Sequence, residues 1–131
     1  MPALNFKKQF AEDVEFGSKR QTVRAPRKDG RAHCKQGDIV KLYTGMRTKD
    51  CRLLGEAKVT RTEPVRIEAT CMYLGGRPLP SAIYSRDQLE ITDNEFAEAD
   101  GFSGFTEMAN WFDAVHGLPF EGTVIYWDEP R

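Results

Sequence analysis

The sequence predicts an α+β protein: a small mixed β-barrel, or a strongly curved sheet, with helices packed against it. Helix signals occur in three segments, residues 7–16, 92–99 and 104–116. Segments rich in Val, Ile and Thr, which are typical of strands, precede and separate them. The two kinds of segment do not alternate regularly, so a parallel doubly wound sheet is not expected.

The N-terminal segment predicts a strand followed by a helix. Leu4-Asn5-Phe6 opens a short strand, and residues 7–16 place Phe6, Phe10 and Val14 on one helical face. Gly17 ends this helix, because the residue after a helix often needs a positive φ angle.

The central segment predicts three strands. Residues 21–24 form a strand that stops before Pro26, and residues 25–36 form a basic loop without an apolar period. Residues 39–44 carry apolar side chains on both faces, which indicates a strand buried on much of both sides. Residues 53–70 are β-like, with Pro64 as an interruption or edge marker.

The C-terminal segment predicts a turn, two helices and a closing strand. Residues 74–80 form a turn or loop by their Gly and Pro content. Residues 92–99 begin with capping-box spacing. Residues 104–116 form a helix that buries one side, and Gly117 stops it; that side consists of Phe105, Met108, Phe112 and Val115. Residues 123–127 close the fold, and one of Tyr126 and Trp127 should face outward.

Length and composition limit the class of protein. A chain of 131 residues favours one domain spanning residues 1–131, and 40% hydrophobic residues with 14 aromatics argue against disorder. No apolar run reaches the roughly 18 residues of a membrane helix, and a secretory signal is lacking. Three irregularly spaced cysteines fit no zinc pattern. We therefore expect a cytoplasmic protein with reduced thiols, no membrane association, no metal and no cofactor.

Charge is unevenly distributed along the chain. Residues 1–61 carry 15 basic and 7 acidic side chains, and residues 62–131 carry 4 basic and 13 acidic ones. This asymmetry indicates a polyanion-binding or interface function. The densest basic cluster lies in residues 18–35, where Asp29 is the only acidic residue. The cluster consists of Lys19, Arg20, Arg24, Arg27, Lys28, Arg31 and Lys35. The cluster is either a path for phosphates or a solvated loop.

Three motifs resemble one family. Gly17-Ser-Lys-Arg-Gln-Thr-Val-Arg24 resembles the Gly-x-Lys-x-x-Thr-x-Arg signature of ASCH domains, a branch of the PUA-like superfamily. Lys35-Gln-Gly-Asp-Ile-Val40 is similar to the Gly-Asp turn of this family. Residues 97–102 are similar to the family's link of an acidic residue, Gly and Phe. The resemblance runs from about Leu4 to Trp127, and residues 72–91 look like a lineage-specific insertion.

The resemblance implies a small β-barrel whose cleft binds RNA or a modified nucleoside, lined by Lys19, Thr22, Arg24 and Asp100. One branch of the family is an amidohydrolase that removes the acetyl group from N4-acetylcytidine with a Lys, a Thr and a Glu. Aligning the motifs places the Lys on Lys19, the Thr on Thr22 and the Glu on Asp100, whose side chain is one methylene shorter than that of Glu. Glu98 is the alternative carboxylate.

The chemistry of these residues is consistent with amide hydrolysis. Thr22 would attack the carbonyl, a lysine with a depressed pKa would take its proton, and a carboxylic acid would protonate the leaving amine. Arg24 would orient the substrate or stabilise an oxyanion. Lys19 and Thr22 have opposite parity, so the proposal needs Lys19 in the turn before the strand.

Alternatives remain open at this stage. Thr22 also suits a strand, Asp100 also suits a helix–helix turn, and His33-Cys34 is more simply a surface dipeptide than a metal or thiol site. The expected function is recognition of RNA or a modified nucleoside. The alternatives are N4-acetylcytidine-type amide hydrolysis and a protein-interaction module with an acidic partner.

Overall fold

A computed structural model of the chain describes residues 2–81 and 91–131. Within these ranges it confirms the α+β class, with three helices and seven strands. The strands follow the order β1-β3-β4-β5-β6, with β7 paired to β4 and β2 paired to β7. The sheet that the described strands form is open, so the closed PUA-like barrel is not confirmed.

The elements agree closely with the sequence pattern. Every predicted helix and strand occurs, and the region expected as a turn at residues 74–80 also contributes to two short strands. In chain order the elements are β1 Ala3–Phe6, α1 Lys8–Phe16, β2 Gln21–Arg24, β3 Ile39–Thr44, β4 Arg52–Ile67, β5 Met72–Leu74, β6 Arg77–Pro78, α2 Asp93–Ala99, α3 Phe105–His116 and β7 Phe120–Trp127.

The chain packs as two compact units. The first contains Met1–Thr22, Pro26–Thr62 and Ile125–Arg131, and the second contains Val23–Ala25 and Glu63–Val124. The first unit has 15 basic and 9 acidic residues, and the second has 4 basic and 11 acidic ones. The charge asymmetry of the sequence therefore follows the two units. Neither unit is one continuous piece of chain, and a single domain stays the prediction.

In the first unit, β3 is the centre of the strand pairing. It runs parallel to β1, with Leu4 opposite Leu42, and antiparallel to β4, with Val40 opposite Ala57. Val40 and Leu42 are fully buried, whereas the alternate residues of β3 are half-buried. The prediction of burial on both faces is thus confirmed for one face and reduced for the other.

In the second unit, the last residues of β4 pair antiparallel with β5. Pro64 was expected as an interruption or edge marker, but β4 continues through it for 16 residues. Its carbonyl still accepts a 2.9 Å hydrogen bond from the N–H of Gly75. Proline therefore removes only a backbone N–H donor from this position of the strand. Gly75 and Gly76 both have positive φ angles, which the two-residue turn between β5 and β6 requires. Of the predicted insertion at 72–91, residues 82–90 lie outside the described residues.

The two C-terminal helices begin as the sequence predicts. Thr92 and Glu95 make both hydrogen bonds of a capping box on α2. The buried side of α3 holds Phe105, Met108, Ala109 and Phe112, but Val115 is 46% exposed. The expectation that Val115 is buried is wrong because it lies in the last turn of α3, residues 113–116, which is exposed throughout.

None of the helices in the described ranges combines the length and the apolar content that a membrane span needs.

Candidate ligand-binding site around Lys19

Lys19 lies in the turn that links α1 to β2. Gly17 ends the helix with a φ of 85°, and its N–H donates to the carbonyl of Val14 at 3.2 Å. The N–H of Lys19 donates to the carbonyl of Asp13 at 3.0 Å, and β2 begins only at Gln21. Lys19 is therefore in the turn before the strand, as the catalytic hypothesis requires.

The side chain of Lys19 is almost fully buried, with 2% of its surface exposed. Its Nζ lies 5.1 Å from the centroid of the Phe10 ring and 6.0 Å from that of Phe6. The ring faces attract a cation, and Lys19 makes further interactions besides these.

The first residues of β2 are buried on both faces. Gln21 is 6% exposed and Thr22 is 5% exposed, and both make further contacts. In the first unit, Lys19 is therefore followed within three residues by two more buried polar side chains, Gln21 and Thr22. The turn and the strand start together bring two of the three predicted catalytic residues into one buried segment.

Trp127 joins this segment from β7. Its backbone N–H donates to the carbonyl of Arg20 at 3.0 Å, and its ring packs edge-on against Phe6, with centroids 5.7 Å apart. The side chain is 3% exposed, and its indole Nε1 has no hydrogen-bond partner among the residues that the structure describes. We call Lys19, Phe6, Phe10 and Trp127 the Lys19 cluster.

The sequence did not identify the aromatic members of this cluster as site residues. The phenylalanines were expected on the packing face of α1, and for the Tyr126–Trp127 pair only an outward side chain was expected. Tyr126 is half-buried, with the guanidinium of Arg61 over its ring at 4.3 Å, and Trp127 is the inward residue. The strand alternation was the available signal, but it does not say which of two aromatics points inward.

The two candidate carboxylates lie in the second unit. Asp100 ends α2 and is 4% exposed, and its N–H bonds to the carbonyls of Phe96 and Ala97 at 3.1 and 3.2 Å. Glu98 is exposed. Burial therefore distinguishes Asp100 from Glu98. Asp100 also makes interactions beyond these backbone bonds.

Most of the predicted ligand-binding cations are exposed. Arg20, Arg27, Lys28 and Arg31 are exposed, and Arg24 is half-buried. Arg20 Nε donates to the carbonyl of Gly17 at 2.9 Å, within the turn that carries Lys19.

Asp29 organises the loop that carries these cations. It accepts from the N–H of Arg31 at 2.9 Å and from Arg27 Nη2 at 2.8 Å. The Arg31 backbone bond, followed by the charge of Arg27, lowers the pKa of Asp29. The one acidic residue of the loop therefore stays ionised and shapes the turn.

The cysteines and histidines form no metal site in the described ranges. Cys34 is buried, Cys71 is half-buried and Cys51 is exposed, and all three are free thiols. Residues 2–81 and 91–131 contain no group of three His, Cys, Asp or Glu residues arranged to hold a metal ion.

The second unit contains an ion-pair cluster that the sequence did not reveal. Arg66 Nε lies 2.7 Å from Glu68 Oε2, and Arg66 Nη1 lies 2.8 Å from Glu121 Oε1. The hydrogen bond from Arg66 lowers the pKa of Glu68, and the neighbouring Cys71 and Glu68 raise the pKa of Tyr73. A groove of about 590 Å³ is bordered by Arg66, Glu68, Tyr73 and Glu121, and its walls also include Pro64 and Val65.

Comparison with known proteins returns no relative. No protein-family model matches the chain, and neither a curated protein nor a solved structure matches it.

Proposed function

We propose that the chain is an ASCH-type domain of the PUA-like class that binds a modified nucleoside, or such a nucleotide within RNA, at the Lys19 cluster. The observation that carries the proposal is the position of Lys19. The lysine of the Gly-x-Lys-x-x-Thr-x-Arg motif is held in the turn after α1 and buried against two aromatic rings.

Lys19 is buried although lysine rarely is, because removing an ammonium from water is expensive. It already makes interactions within the protein, and the proposal adds a ligand to them. A pyrimidine base presents a carbonyl oxygen and a ring nitrogen as acceptors, and a lysine ammonium presents three donors. A base bound beside Lys19 would also have the apolar surface of Phe6 and Phe10 nearby. We take Thr22 as the second polar contact in this segment.

The exposed cations would bind the phosphates of an RNA. Residues 18–35 carry seven basic side chains, and most of them are exposed. Counterion release from phosphates would then add a salt-dependent term to the affinity for RNA. A cytoplasmic location is part of the same proposal and is in keeping with three free thiols. The PUA-like barrel is included on the strength of the three motifs.

Amide hydrolysis is the second candidate, and it is favoured by the position of Lys19 in the turn before β2, which the motif-based mechanism requires. Thr22 Oγ would bond to the carbonyl carbon of an N4-acetyl group while its proton passes to Lys19. The C–N4 bond would then break as N4 takes a proton from the carboxylic acid that the motif assigns to Asp100. Water would release acetate from the acyl-threonine and restore both proton carriers.

The test compares binding and turnover in one set of variants. Cytidine, N4-acetylcytidine and a short single-stranded RNA are titrated into wild type, Lys19→Met and the matched control Lys49→Met, at an exposed lysine outside residues 18–35. We expect wild type and Lys49→Met to bind the modified nucleoside, and Lys19→Met to lose at least tenfold in affinity. Chromatography of the acetylated nucleoside reads hydrolysis in the same samples.

Two outcomes would overturn these proposals. Equal affinity in folded Lys19→Met would remove Lys19 from the site. A wild-type protein that neither binds nor cleaves any of the three compounds, but captures an acidic protein through residues 18–35, would be an interaction module instead. Binding without release of acetate would remove only the hydrolase candidate.

A further inference from the structure

The indole N–H of Trp127 is a buried hydrogen-bond donor without an acceptor. The residue is 3% exposed, and Nε1 has no partner in the described part of the chain. Buried indole groups usually find an acceptor, because an unmatched donor in a low-dielectric interior destabilises the fold. A donor left in this state is suited to a ligand that brings its own acceptor.

Two contacts place this donor in the Lys19 cluster. The backbone of Trp127 bonds to Arg20, the residue immediately after Lys19. Its ring packs against Phe6, and the same phenylalanine lies 6.0 Å from Lys19 Nζ. Trp127 and Lys19 therefore share a neighbour through their side chains and are adjacent through the backbone.

We propose that the Nε1–H of Trp127 donates to a carbonyl oxygen of the bound nucleoside. This inference rests on the proposed function and adds a specificity-determining residue to it. An indole N–H only donates a hydrogen bond and does not titrate. At every pH it therefore favours a ligand with a carbonyl oxygen at this position over one with an amino group. The carbonyl can belong to the pyrimidine ring or to the acyl group of an N4-acylated base. Comparing the binding of cytidine with that of N4-acetylcytidine distinguishes these two sources.

Nuclear magnetic resonance of ¹⁵N-labelled protein tests the hydrogen bond directly. The chain has two tryptophans, so its spectrum holds two indole N–H resonances, and Trp111→Phe assigns them. On titration with N4-acetylcytidine, we expect the Trp127 indole proton to move downfield and that of Trp111 to stay in place. The acetyl methyl resonance of the ligand reports its integrity. If cytidine produces the same shift, the ring carbonyl is the acceptor; a shift only with the acetylated compound identifies the acyl oxygen.

A variant gives the energetic counterpart. Trp127→Phe keeps an aromatic ring and removes the donor, and we expect its affinity for the carbonyl-bearing ligand to fall about 3- to 10-fold. Trp111→Phe is the matched control and should bind as wild type does. An unmoved Trp127 resonance in a protein whose ligand binding still depends on Lys19 would overturn this assignment alone. If no compound moves any resonance, the proposed function fails and the assignment fails with it.

Discussion

The backbone N–H of Lys19 donates to the carbonyl oxygen of Asp13, so a residue beyond the end of α1 is tied back to the last turns of that helix. The consequence is visible in the side chain, whose Nζ lies 5.1 Å from the ring centroid of Phe10 on the same helix. A polar residue that follows a helix is normally solvated. Here the left-handed Gly17 redirects the chain and makes the burial of Lys19 a local property of the helix end.

Gly17→Ala should therefore destabilise the protein and weaken its site. Gly17 has a φ of 85°, where a β-carbon is strained, although the nearest atom that such a carbon would meet is 3.6 Å away. We expect a loss of about 1 kcal/mol in the free energy of unfolding, measured with urea. Ser18→Ala, at the exposed neighbour, should be neutral. Equal stability of the two variants would contradict a conformational role for Gly17.

The carboxylate of the hydrolase hypothesis is decided by a pair of isosteric variants. Asp100→Asn and Glu98→Gln each remove one ionisable proton carrier, but only Asp100 is buried. We expect Asp100→Asn to lower the release of acetate from N4-acetylcytidine about 10²- to 10⁴-fold, and Glu98→Gln to stay within about twofold. Far-ultraviolet circular dichroism confirms the fold of both. The opposite ranking would transfer the acid role to Glu98.

Local sequence signals predicted most of the fold because they act through backbone geometry. The Thr92–Glu95 spacing predicts a capping box, and both of its hydrogen bonds form. The glycine after residue 16 predicts a helix end, and Gly17 adopts the expected conformation. Pro64 does not interrupt β4, because its missing N–H matters only where a partner strand needs it. Long-range strand pairing, which decides whether a sheet closes, has no comparable local signal.

The candidate site was predictable only in part. Lys19 and Thr22 follow from a short motif, and their burial agrees with it. The Phe6–Trp127 contact joins the two ends of the sequence, and the Arg66–Glu121 ion pair spans 55 positions. Pairs so far apart are set by tertiary packing, which side-chain periodicity does not encode. For the same reason, an unmatched indole donor was invisible in the sequence.

Binding of RNA should depend steeply on salt through the exposed cations of residues 18–35. Each phosphate neutralised on a single strand contributes about 0.7 to the slope of log affinity against log salt. We expect Lys28→Gln and Arg31→Gln each to reduce that slope by about this amount, as measured by fluorescence anisotropy. Arg27→Gln should have a smaller effect, because Asp29 already accepts from its guanidinium at 2.8 Å.

Lys49→Gln is the matched control for this series, since Lys49 is exposed but lies outside residues 18–35. Its slope should equal that of wild type. A slope that falls equally for Lys49→Gln would show that the net charge of the protein, and not this loop, attracts RNA.

The Arg66 ion pairs predict a pH dependence of stability. The hydrogen bond from Arg66 lowers the pKa of Glu68 in the folded protein. A carboxyl with a lowered folded pKa stabilises the protein fully above its unfolded pKa, and this stabilisation is lost as pH falls through the lowered value. Arg66→Met should therefore lower the urea midpoint at pH 7, and the difference from wild type should shrink as pH falls below about 4. Both partners are substantially exposed, so the effect at pH 7 should be modest and reduced by salt.

Carbon-13 spectra of the glutamate carboxyls provide the direct measurement, in which the pKa of Glu68 should return toward its ordinary value in the variant. A Glu68 pKa that is unchanged in Arg66→Met would mean that the guanidinium does not hold this carboxylate in solution.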